Sequence, residues 1–148
     1  MADWTTVKVE DRLEEAARVF RLLPAVKPIG YFNAWPEYIH SFADQVGQAP
    51  EALRPRPGPR QISEAEEALI WLRWLEKNDA RILWLRANHR EWKEICWEVG
   101  LSRPAATRHG HYGIAVITWR LNGRLPPPKR SKRFVIENAN TLSRKIVL

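Results

Sequence analysis

Residues 92–122, WKEICWEVGLSRPAATRHGHYGIAVITWRLN, restrict this chain more than any other stretch. Apolar Ile95, Cys96 and Val99 recur at helical spacing and stop at Gly100. Glycine accepts a left-handed backbone without steric cost, so the chain can turn sharply there. Ser102 is of a type that caps helices, and it opens a longer helical run that Gly123 closes. The inner stripe of that second run is Ala106, Gly110, Ile114, Ile117 and Leu121, and Leu101 plugs the angle between the two helices. Small residues stand where helices must cross closely: Cys96 four residues before Gly100, Ala106 six after it. This is the spacing of a helix-turn-helix. A plain helical hairpin inside a core has the same ingredients, so the spacing alone leaves both readings open.

The outward positions of the second helix decide what such a motif could touch. They are Arg103, Pro104, Thr107, Arg108, His111 and Tyr112. Arginine can make paired hydrogen bonds to guanine in a major groove, and threonine can meet a thymine methyl. Arg103, Thr107, Arg108 and His111 are therefore expected to read bases. Residues 101–148 carry ten Lys/Arg against one Asp/Glu, while the first hundred residues are close to balanced, so the chain's net +7 resides in its last third. No acid occurs between Arg103 and Arg133. Ser102, Arg120, Arg124, Lys129, Arg130, Lys132 and Arg133 are the expected phosphate contacts. A solvated basic tail is the bland alternative for the same charge.

The rest of the chain reads as mostly helical. Val9, Leu13, Ala16, Ala17 and Phe20 predict a helix from Thr6 to about Leu23, capped by Thr5 or Thr6 and ended by Pro24. An aromatic-rich loop follows at 25–35, then a short helix through Tyr38, Ile39 and Phe42. The tract GQAPEALRPRPGPRQ (47–61) predicts an extended linker. Ser63 and Glu66 form a capping-box pattern for a helix starting at 63. Asn78 and Asp79 are expected to break that helix and cap the next, from Ala80 to about Ala87. The three prolines of LPPPKRSKR (125–133) predict a stiff basic connector, and Phe134–Ile136 a short β-like run. The expected organisation is an N-terminal helical segment at 1–46, a Pro-rich linker at 47–62, a helix-turn-helix domain at 63–123 and a basic arm at 124–148.

Several residue groups invite other chemistry. His109 and His111 stand two apart, face different ways on a helix and make a poor metal pair. Cys96, the sole cysteine, belongs to an inner face and excludes an internal disulfide. His40, Ser41 and Asp44 are read as a helix surface rather than a catalytic triad. No phosphate-cradling glycine loop or zinc-protease signature is present. The expectation is no enzyme activity, no metal and no cofactor. Trp71, Trp74 and Trp84 are expected to pack together in the core, whereas Tyr31, Phe32 and Trp35 sit in a loop and could offer a partner surface. No apolar run approaches membrane-spanning length and the N-terminus lacks a signal-peptide pattern, so a cytoplasmic protein is expected.

The run from Asp79 to Asn122 resembles region 4 of sigma factors and related response-regulator output domains. ARILWLRA, EWKEICWEVGLS and RPAATRHGHYG stand where those domains have two helices and a recognition helix. The departures are Cys96 for the usual alanine, Ala106 for valine or isoleucine, and Pro104 early in the recognition helix. More broadly, RLEEAARVFRLLP, YFNAWPEYIHSFAD, WLRWLE, TWRLNGR and KRSKRF resemble a family from alphaproteobacteria and their prophages. The resemblances imply a double-stranded DNA-binding, (pro)phage-related transcription regulator. The alternative is a protein-interaction module engaging RNA polymerase, or a DNA-packaging recognition subunit of small-terminase type. Homo-oligomers are common among such motifs.

Overall fold

The computed structural model describes residues 3–24 and 55–141. Within them the fold is all-α, with six helices. None is long and apolar enough to cross a membrane. The predicted aromatic loop with Tyr31, Phe32 and Trp35, the short helix with His40, Ser41 and Asp44, and Arg144-Lys145 lie outside the described residues.

Helix α1 spans Thr6–Leu22. Thr5 has the extended backbone of an N-cap, and its hydroxyl accepts from the Lys8 amide at 3.3 Å. Val9, Leu13, Ala16 and Ala17 are buried, as the spacing predicts. Helix α2 spans Pro59–Leu72, four residues earlier than the Ser63 cap would place it. Proline at the first helical position has φ already set and no amide to satisfy. The Gly58 amide donates to Gln61 Oε1 at 2.8 Å, and Ser63 instead donates to the Pro59 carbonyl. The helix start predicted at 63 is therefore corrected to Pro59.

Helix α3 spans Lys77–Ala87, so Asn78 and Asp79 lie inside its first turn rather than before it. Helix α4 (Trp92–Val99) ends at Gly100, whose φ of 72° is the predicted left-handed turn. The Gly100 amide donates back to the Cys96 carbonyl at 2.9 Å. Helix α5 spans Arg103–Leu121. Ser102 occupies its N-cap position with extended backbone, but its hydroxyl makes no capping bond.

Helix α6 (Lys132–Asn138) replaces the β-like run expected at Phe134–Ile136. Ser131 caps it by accepting from the Phe134 amide at 3.3 Å. Val135 and Ala139, one turn apart, are both buried. That i, i+4 pair is the helical signal that the apolar triplet hid.

Helix α5 is the axis of the structure. Its inner side packs on α1 and α3 through Gly110, Gly113, Ile114 and Ile117, and Ile82, Ile95 and Ala106 join α3, α4 and α5. Its opposite side, over the C-terminal half, is covered by α6: Ala115, Val116 and Trp119 meet Val135 and Ala139. The Trp119 indole N–H donates to the Val135 carbonyl at 3.0 Å. Asn140 bonds Thr6, and Asn122 bonds both backbone groups of Trp4. The basic arm expected from residue 124 is thus folded onto the domain through residue 140. Trp71, Trp74 and Trp84 share one core cluster but not one stack. Trp71 meets Trp4 edge-on at 5.2 Å, Trp84 meets Phe20 at 6.1 Å, and Arg120 lies over Trp74.

Candidate nucleic-acid interface

Because α6 covers one flank and α1, α3 and α4 another, the outward face of α5 is confined to its first turns. Arg103, Pro104 and Arg108 are exposed there, and Thr107 is half-buried beside them. Neither Arg103 nor Arg108 has a carboxylate within ion-pairing distance among the described residues. Two acids of α4 are engaged elsewhere: Glu98 pairs with Arg81 at 3.5 Å and Glu94 with Arg90 at 3.1 Å.

The structure separates His111 from this group. His111 lines a cleft with Glu10 and Glu14 of α1 and with Arg86 and Trp92. Partial burial raises the Glu10 carboxyl above its ordinary value, and the charge of His111 pulls it part of the way back. His111 is exposed but borders acidic side chains, so it is not part of the acid-free surface expected from the sequence. That expectation counted acids along α5 only, and Glu10 comes from a helix about a hundred residues away.

The expected phosphate contacts divide into groups. Lys132 is brought to Arg108, and together with Ala105 and His109 they line a cleft between α5 and α6. Lys132 Nζ sits 5.1 Å from the Tyr112 ring centroid, a cation–π contact. Arg130 similarly lies over Phe134 at 5.2 Å. Arg120 and Arg124 gather with Trp74 at the far end of α5. With 1.5 Å rise per residue, Arg120 is about 18 Å along the axis from Arg108. Arg133 is bonded to Glu137 at 2.7 Å, an exposed i, i+4 pair that competes only weakly with other anions. Ser102 and Lys129 are exposed.

Two features had no sequence signal. Asp79, 1% exposed, places Oδ1 2.6 Å from His109 Nδ1, joining α3 to the flank of α5. The partners are thirty residues apart and no motif links them. Trp97, on α4, is 89% exposed, and tryptophan as a residue type gives no sign of that.

Comparison with known proteins gave no match among curated proteins and none among solved structures. One family, described as Domain of unknown function (DUF6362), matches residues 21–117, about two thirds of the chain. The matched span takes in α2, α3, α4 and most of α5, including Arg103 and Arg108. The chain belongs to the DUF6362 family.

Proposed function

We propose that this protein binds double-stranded DNA by laying the N-terminal half of α5 in the major groove, and that it acts as a transcription regulator. The observation that carries the reading is the exposure of Arg103 and Arg108 on the first turns of α5, without a carboxylate partner among the described residues. The glycine turn between α4 and α5 supports it, as does the resemblance of α3, α4 and α5 in order to sigma-factor region 4. Arg103, Thr107 and Arg108 read bases; Lys129, Arg130 and Lys132 on one side and Arg120 and Arg124 on the other hold phosphates.

The test is fluorescence anisotropy with random-sequence duplex over a salt series. Five phosphate contacts give a log–log slope of about −4.5, a loss of roughly 500-fold between about 50 and 200 mM salt. A flat response, or no binding at the lower salt, refutes the reading. Trp97 favours a second reading, a module that meets a protein partner such as RNA polymerase or a phage packaging motor. Capture from nuclease-treated lysate that W97A abolishes supports that reading.

A further inference from the structure

Beside Arg108 the structure holds a cleft of about 170 Å³ lined by Ala105, Arg108, His109 and Lys132. No acid lines it. Its polar side chains are held in place rather than merely gathered. His109 is gripped from behind by the buried Asp79 carboxylate, which leaves Nε2 as the ring nitrogen not engaged by Asp79. Lys132 is steadied by the face of Tyr112. A buried carboxylate is costly unless paired. His109 is that partner here, at 2.6 Å. Arg108 and Lys132 have no carboxylate partner among the described residues and stand at the rim. A charged donor set of this kind suits an oxyanion, for which charge-assisted hydrogen bonds are the strong ones.

We propose that this cleft is a phosphate site in which His109 and Lys132 hold one oxyanion, Arg108 adds charge at its edge, and Asp79 is a positioning residue for His109. The inference rests on the DNA reading for the identity of the ligand: a phosphodiester of the duplex backbone beside the groove that α5 enters. It assigns a role to His109 and joins Lys132, thirty positions after Ser102, to the same contact. Helix α6 thereby becomes part of the interface instead of a tail behind it.

The experiment uses the full chain, K132A and H109Q, with a 20-base-pair duplex and with inorganic phosphate as separate probes. Imidazole resonances of His109 and anisotropy over a salt series are the readouts. The expected result is that duplex moves the His109 ring signals and that each variant binds roughly tenfold more weakly. K132A should also reduce the salt slope by about 0.9. Lys132 is exposed, so K132A keeps the test open if H109Q folds poorly. Unmoved ring signals together with unchanged affinity and slope in K132A overturn the proposal. If the wild-type chain binds no duplex, the DNA reading falls, and inorganic phosphate alone decides the cleft. Ring signals that shift in wild type but not in K132A keep it as a site for a small phosphate ligand; unmoved signals overturn it.

Discussion

Two glycines of α5 offer a test of how that helix is seated. Glycine inside a helix costs up to about 1 kcal/mol relative to alanine. Gly110→Ala and Gly113→Ala therefore recover the same intrinsic gain, and the surroundings decide the rest. A methyl at Gly110 meets Ile82 Cγ2 at 3.5 Å and Trp92 Cη2 at 3.8 Å, which is ordinary contact. Gly110→Ala should stabilise the protein by about 1 kcal/mol. A methyl at Gly113 falls 3.0 Å from Leu83 Cδ1 and 3.2 Å from Leu75 Cδ1. Leu83 is itself only 4% exposed and has little room to withdraw. Overpacking of a core costs about 1–3 kcal/mol, which cancels or exceeds the helical gain. The difference between the two alanine variants is then about 1–3 kcal/mol, in favour of Gly110→Ala. Guanidinium denaturation, with equal m-values confirming comparable unfolding, reads it directly. Equal stabilisation by both substitutions would refute the close approach of α3 to α5 at Gly113, and with it the seating that turns Arg108 outward.

Trp119→Phe keeps an aromatic side chain but removes the indole N–H, leaving the Val135 carbonyl without its donor, a loss of about 1–3 kcal/mol. A seven-residue helix does not persist undocked, so amide exchange should accelerate across α6 while α1 to α3 stay protected; unchanged exchange in α6 would contradict its docking. Asn122→Ala removes both bonds to the Trp4 backbone, at 3.0 and 2.9 Å, and should lower stability by about 1–3 kcal/mol in denaturant titrations. Glu10 has a folded pKa raised mainly by burial, so its contribution is complete at acid pH and is lost as pH rises from the ordinary carboxylate range through the raised value. Glu10→Gln should therefore be more stable than wild type at neutral pH, with the margin closing below about pH 4; a margin independent of pH would rule this out.

The helical class and the turn at Gly100 were legible because apolar spacing and glycine act locally. Val9, Leu13 and Ala16 mark one face of α1 from the sequence alone, and Ile95 with Ala106 marks the crossing of α4 and α5. Signals that compete within a few residues were read less well. Ser63 and Glu66 imitate a helix start, but Pro59 begins α2 first because its φ is already helical. The triplet at Phe134 looks extended until Ser131 is seen as a cap and Val135 with Ala139 as a buried stripe. The candidate site was half legible. Periodicity puts Arg103 and Arg108 on the outer face of α5. It cannot show that His111 borders Glu10, that α6 brings Lys132 to Arg108, or that Asp79 holds His109, because each depends on contacts between distant segments.

Direct reading of duplex sequence by the first turns of α5 is what separates a regulator from a basic surface. A duplex selected by the protein from a random pool, compared with a scrambled one, measures this for wild type, R103A and R108A. Loss of a bidentate base contact costs about 1–3 kcal/mol of discrimination, so each variant should lose roughly five- to 150-fold in its preference for the selected duplex. Full retention of both affinity and preference in R103A and R108A would contradict the account.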